Sequence, residues 1–247
     1  MRSRLGAAFV ASVSVVLASS AVAQGLPSGF VYLREVEPTV AQDIRYAGPD
    51  NFIGQALRGY DAAECVLQEP AARALNAAQA DLAAEGLGLK VYDCYRPAAA
   101  ARAMMRWASA DNSGDTNPRF FPNVRKGALV ARGYIAAHSS HSTGLAVDLT
   151  LVVREASGRI QPPSGPCRGP ADDSLDMGTS FDCFDPLSHT AARQIGSEAR
   201  RFRALLVAAM QRHDFANYPR EWWHFSYSRA GSTSGTFDFP IVRRPAR

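Results

Sequence analysis

The chain has 247 residues, 47% of them hydrophobic and 20% charged, with 27 Lys and Arg against 23 Asp and Glu. That length suffices for one domain with a substantial core, and the balance is too near neutral to argue for nucleic acid or an anionic surface as partner. The four cysteines leave disulfides or a Cys-based metal site open.

Residues 1–23 read as a secretory signal. Arg2 and Arg4 precede a mostly apolar run from Leu5 to Leu17, and Ala21-Val22-Ala23 makes an A-x-A cleavage site before Gln24. The run is too short and too interrupted by Ser to span a membrane stably, and no second span follows. The expectation is an exported protein, periplasmic or secreted, with residues 24–247 as a single domain without stable membrane insertion. Export favours disulfides for Cys65, Cys94, Cys167 and Cys183, and no C-x-x-C pair argues otherwise. Three connectivities exist. Cys65 with Cys94 and Cys167 with Cys183 is the expected pairing, because each pair brackets a compact segment within its own half.

Residues 24–69 are loop-rich with short strands, such as 30–33. Pro70 opens a helix in which Leu75, Ala78 and Leu82 recur at helical spacing, and Gly86 and Gly88 stop it. Residues 89–92 form a strand that delivers Arg96, and Pro97 starts a second helix through Met104 and Trp107. Residues 111–126 are a loop rich in Asn, Pro and Gly.

The central stretch runs Ser139-Ser140-His141-Ser142-Thr143-Gly144 and then into an alternating strand. Leu145, Val147, Leu149 and Leu151 share one face; Ala146, Asp148 and Thr150 share the other. An aspartate mid-strand needs a reason, because an unpaired buried carboxylate is expensive. A metal ion between Asp148 and His141 supplies one, with Gly144 and Ala146 keeping that face small. A buried, hydrogen-bonded Asp beside a surface His is the competing reading for this segment alone.

Residues 154–185 form a long Pro/Gly/Asp-rich segment, expected to be an ordered loop near the site because a disulfide crosses it. A third helix follows Ser197, with Phe202, Leu205, Leu206, Ala209 and Met210 as its apolar stripe. Arg200, Arg201 and Arg203 on it read as a solvated face. A strand from Trp222 returns to the sheet within the aromatic run Glu221-Trp222-Trp223-His224. His141, Asp148 and His224 then complete the two-His, one-carboxylate set that zinc favours, with Glu221 as nearby base for its water. Residues three apart on a straight strand face opposite ways, so Glu221 must precede the strand or sit at a bend. The class is α+β: one domain, a central mostly antiparallel sheet flanked by helices, and the zinc site on the sheet.

The motifs SxHxxGxAxD and EWWH, with the upstream Tyr92-Asp93-Cys94-Tyr95-Arg96-Pro97, together resemble the VanX-type D-alanyl-D-alanine dipeptidases, zinc enzymes of the D,D-peptidase/hedgehog-like superfamily. The likeness runs from Asp43-Ile44-Arg45-Tyr46-Ala47 to Phe237-Asp238-Phe239-Pro240, nearly the whole chain after the signal. The resemblance implies one zinc per chain on His141, Asp148 and His224, with Glu221 as catalytic base. It implies Arg96 as the arginine that stabilises the oxyanion, a role suited to a fixed, always-charged guanidinium. It also implies substrate contacts from Ser139 and from Asp182, the latter near the substrate ammonium. The partner implied is a small dipeptide, D-Ala-D-Ala. The rivals are a D,D-carboxypeptidase acting on longer cell-wall peptides and a zinc-stabilised binding module without turnover; Glu221 and Arg96 argue against the second. Of the other histidines, His138 makes a tempting H-x-x-H with His141 but lies in a turn, while His189 reads as structural and His213 as a surface residue.

Overall fold

The computed structural model describes residues 25–110, 114–154, 165–170, 172–229 and 235–245. The expected signal over residues 1–23 lies outside them.

The first strand, β1 (Phe30–Tyr32), ends one residue earlier than expected because Leu33 turns into a short helix, α1 (Leu33–Val36). After β2 (Ala41–Gln42), β3 (Val66–Gln68) pairs back antiparallel on β1 as a two-stranded sheet. Helix α2 (Glu69–Ala83) carries Pro70 in its first turn, where the missing N–H has no intrahelical partner to lose. It buries Leu75, Ala78 and Leu82, the expected stripe. Gly86 lies beyond its end, but Gly88 belongs to the next strand, β4 (Leu87–Asp93), and is not a helix stop. A Cβ on Gly88 would stand 3.2 Å from Arg154 Cγ, a tight contact, while the next residue is tied to α2 by Leu89 N donating to Gln79 Oε1 at 2.8 Å.

Helix α3 (Ala98–Ala108) follows Pro97 as expected, and β5 (Ala146–Val153) is the central strand. Helix α4 (Ser197–Gln211), β6 (Phe215–Asn217) and β7 (His224–Tyr227) complete the chain of elements. The main sheet has five strands in the order β2-β4-β5-β7-β6, with β2 and β4 parallel and the other pairs antiparallel. α2 packs on β4 and on α4, and α4 packs on β5 and β6. This is the expected α+β class with a mostly antiparallel sheet flanked by helices. β5 is buried continuously from Ala146 to Val152, so its alternation separates two covered faces, one apolar and one polar. Among the described residues no helix is long and apolar enough to cross a membrane.

The arginines of α4 do not behave alike. Arg200 and Arg201 are exposed, as expected of a solvated face. Arg203 is 1% exposed, because it lies on the helix face that also buries Ala199, Leu206 and Met210. Its guanidinium is spent on main-chain oxygens: Nε donates to Met177 O at 2.7 Å and Nη1 to His189 O at 2.8 Å.

Both expected disulfides are present, Cys65–Cys94 across 29 residues and Cys167–Cys183 across 16. The first ties β3 to the end of β4, one residue past Asp93. Paired Cys65→Ser and Cys94→Ser substitutions are expected to lower the unfolding free energy by about 3–4 kcal/mol, from the loop entropy restored to the unfolded chain. Chemical denaturation reads this directly; a change under about 1 kcal/mol would show the bridge to be dispensable.

Candidate active site

The site begins at a short 3-10 turn, Ser140–Thr143, leading into β5. Ser139 caps it, its hydroxyl oxygen accepting from His141 N at 3.3 Å. Gly144 closes it at φ 75°, where a Cβ would stand 2.3 Å from Phe30 Cε1. What this glycine makes room for is therefore the Phe30 ring, not an ion beside Asp148.

Three strands then align their polar residues. Asp148 on β5 pairs with Asp93 on β4 and with His224 on β7, so all three side chains rise from one face of the sheet. The register slips at Tyr92, between Val91 and Asp93, and this bulge brings Asp93 opposite Asp148. His141 swings in from the turn. Its Nε2 lies 3.2 Å from Asp148 Oδ1 and 3.0 Å from His224 Nδ1, and His224 Nδ1 lies 3.0 Å from the same Asp148 oxygen.

These separations suit donors around a tetrahedral ion, which stand ~3.3 Å apart when the bonds are ~2.0–2.1 Å. The outer partners fit as well. His141 Nδ1 is 2.7 Å from Cys94 O, to which it donates, leaving Nε2 its lone pair. His224 Nε2 reaches Ser140 Oγ at 3.1 Å, which leaves Nδ1 to face Asp148 and His141. Burial works against charge on Asp148, yet His141 and His224 hold its carboxyl well below the usual carboxylate range. Burial pushes the His224 imidazole down, towards the neutral form that ligates. The expected ligand set thus converges as a group able to hold a metal ion.

Arg96 approaches from the end of β4. Its Nε and Nη2 both donate to Asp93 Oδ2, at 2.9 and 2.7 Å, and its guanidinium lies 4.9 Å from the centre of the Tyr46 ring. Among the described residues Nη1 meets only the soft sulfur of Met104, at 3.3 Å, so it retains donor capacity towards the cavity. Burial opposes its charge, but Asp93 and the other anionic neighbours raise its pKa well above the ordinary value. Asp93, fully buried, is fixed in turn by Tyr60, whose hydroxyl donates to Oδ1 at 2.7 Å, and by Cys94 N at 2.9 Å.

Glu221 precedes β7 in a turn: its N–H donates to Tyr218 O at 3.0 Å, and His224 N donates to Glu221 O at 3.3 Å. β7 accordingly begins at His224 and not at Trp222. The bend answers the geometric difficulty, since Glu221 and His224 line the same cavity. Asp182 enters from the 165–185 segment, next to Cys183 of the second disulfide, at φ 58° and with Tyr46 donating to its Oδ2 at 2.8 Å. Burial, and then the Asp148 charge, push the carboxyls of both Asp182 and Glu221 well above the usual range. The cavity is therefore short of positive charge, which a dication on the His-Asp-His group would supply. Its volume is about 280 Å³, and Phe52, Tyr134, Phe184 and Tyr218 form much of its apolar wall.

The D-ala-D-ala dipeptidase family model matches residues 27–242. The chain belongs to that family. Curated relatives agree. It is 34% identical over 216 residues to a D-alanyl-D-alanine dipeptidase of Enterococcus faecalis, covering 87% of this chain and 100% of that one. Identity is 34% over 213 residues with one of Streptomyces coelicolor (86% and 98% covered), and 33% over 202 residues with one of Escherichia coli (82% and 86% covered). A solved structure, that of the vancomycin resistance D,D-pentapeptidase VanY with Zn(II), matches at a TM-score of 0.38 and 16% identity, over 66% of this chain and 73% of that one. That likeness is too distant to inform the site.

Within this metallo-dipeptidase family chain, Arg96, Ser139, His141, Asp148, Asp182, Glu221 and His224 all line one cavity, although they come from four separated segments. His138 also lines it, but exposed at its rim and outside the three-residue group. His189 caps the 3-10 turn Pro186–Ser188, and Arg203 Nη1 donates to its carbonyl at 2.8 Å. His213 pairs with Asp81 at 2.9 Å, joining α4 to α2. Sequence reasoning missed Tyr46, Tyr60 and Asp93 as the supports of Asp182 and Arg96. Asp93 stands three residues before Arg96, a spacing that hinted at an ion pair.

Proposed function

We propose that the chain is a zinc-dependent hydrolase of free D-alanyl-D-alanine, acting outside the cytoplasm in cell-wall metabolism and releasing two D-alanines. The observation that carries this reading is a single cavity joining a His-Asp-His ligand group, a buried glutamate, an arginine with a spare donor and a second buried carboxylate, in a chain of the D-Ala-D-Ala dipeptidase family. The volume of about 280 Å³ lies just below the ~300–1,000 Å³ usual for small-molecule sites, which suits a dipeptide better than a longer peptide.

His141, Asp148 and His224 would hold the zinc, which when bound polarises the scissile carbonyl and acidifies a water towards neutrality. Glu221 takes the proton of the attacking water and passes it to the amine as the C–N bond breaks. Arg96 offers Nη1 to the carbonyl oxygen as negative charge builds there. Asp182 receives the substrate ammonium, fixed beforehand by Tyr46 and by the Cys183 bridge. Export is supported by the signal-like residues 1–23 and by two disulfides, which suit an oxidising compartment.

The experiment that tests this compares free D-Ala-D-Ala with its N-acetyl derivative on the purified protein. Acetylation removes the ammonium and leaves the buried Asp182 without a cationic partner. The acetylated substrate is therefore expected to have a kcat/KM lower by at least about a hundredfold, and Asp182→Ala is expected to narrow that gap. Equal kcat/KM for the two in the unmodified protein would establish a carboxypeptidase instead.

A further inference from the structure

We infer that Thr179, anchored by the buried Arg203, is a positioning residue for Glu221; this rests on the reading of Glu221 as the base. Among the described residues no hydrogen bond reaches the Glu221 carboxyl. Arg96 is clamped by Asp93 through its own side chain, whereas Glu221 is aimed only by the main chain on either side of it. On the near side the turn is fixed by Glu221 N to Tyr218 O and by Asn217 Nδ2, which donates to Glu221 O at 3.0 Å. On the far side stands Trp222, and both of its N–H groups are committed.

Trp222 N donates to Ser188 O at 3.1 Å, and its indole Nε1 donates to Thr179 Oγ1 at 2.9 Å. Thr179 Oγ1 also lies 2.9 Å from Ser188 Oγ and accepts a longer bond, 3.5 Å, from Arg203 Nη2. With its oxygen accepting from Trp222 and Arg203, the Thr179 hydroxyl gives its own hydrogen to Ser188 Oγ. Arg203 then binds the strands of this knot from behind, at Met177 O and His189 O, two residues before Thr179 and one after Ser188. Thr179, Ser188, Trp222 and Arg203 are each no more than 2% exposed, so water does not replace a lost partner. Asp182 lies three residues past Thr179 but has its own restraints, Tyr46 and the Cys183 bridge. Loss of the Thr179 hydroxyl therefore falls on Glu221 first.

Thr179→Val keeps the shape and deletes the hydroxyl; Thr179→Ser keeps the hydroxyl. Thr179→Val is expected to lower kcat for D-Ala-D-Ala about tenfold, with KM within about twofold and zinc content unchanged, since a small misplacement of a catalytic group costs rate before binding; the buried groups left unpaired also lower Tm by about 5 °C, so the kinetics are read well below it. Thr179→Ser is expected within about twofold of the unmodified protein in every measure. Should Thr179→Val not fold, Trp222→Phe deletes the Trp222–Thr179 hydrogen bond from its other end and carries the same expectation for kcat, KM and zinc content. The inference is overturned if the hydroxyl-free variant turns over at the unmodified rate, if zinc falls in step with kcat, or if Thr179→Ser falls as far as Thr179→Val. Glu221→Gln run alongside separates the two levels. If Glu221→Gln keeps its turnover, the base reading has failed; if it is dead while Thr179→Val is normal, only the positioning role has.

Discussion

Glu221→Gln is expected to lower kcat by about 10²–10⁴-fold, the range for a positioned general base, while leaving zinc content unchanged. The substitution preserves size and removes the proton acceptor. Nothing in the local packing should change, because the turn is held through main-chain groups: Glu221 N to Tyr218 O, and Glu221 O from Asn217 and His224. Burial and the neighbouring Asp148 and Asp182 carboxylates raise the proton affinity of Glu221, so a neutral amide there also relieves repulsion. Folding stability should accordingly hold or rise slightly. Steady-state kinetics with metal analysis on the same sample checks both halves. A variant that keeps more than about a tenth of the original kcat at full zinc content would remove Glu221 from the proton path.

The second large effect is expected at the metal ligands. His224→Ala should lose its zinc on dialysis and with it more than about 10³-fold of turnover, because a three-ligand set cut to two no longer closes around the ion. A chelator should do the same to the unmodified protein, and added zinc should restore the chelated protein but not the variant. Removing His224 also leaves the buried Asp148 with one imidazole partner where it had two, at 3.2 Å from His141. His138→Ala serves as the control and should retain zinc, since His138 is exposed at the cavity rim. Elemental analysis decides the matter: full zinc in His224→Ala would place the ion on other residues.

What the sequence by itself determined was local. The ligands His141 and Asp148 and the base-plus-ligand pair Glu221 and His224 sit within short segments, where residue type and spacing reveal the chemistry. The expected bend at Glu221 followed from the two-residue period of a strand, and the turn ending at His224 supplies it. The disulfide pairing followed from proximity along the chain, and both bridges are in place. The supports of the site were hidden for the opposite reason. Tyr46 reaches Asp182 across 136 residues, and Tyr60 reaches Asp93 across 33. No periodicity in either segment encodes such a contact. Arg203 looked like one of three solvated arginines because charge predicts exposure; its helical phase with Ala199, Leu206 and Met210 buried it, and main-chain carbonyls that need donors in the interior met its guanidinium. The bulge at Tyr92 was equally invisible, yet it aligns Asp93 with Asp148 and so joins the arginine to the ligand group. Chemistry was legible where it is carried by neighbours in sequence; only the tertiary structure decided how those groups are held, because their holding is a matter of contacts between distant segments.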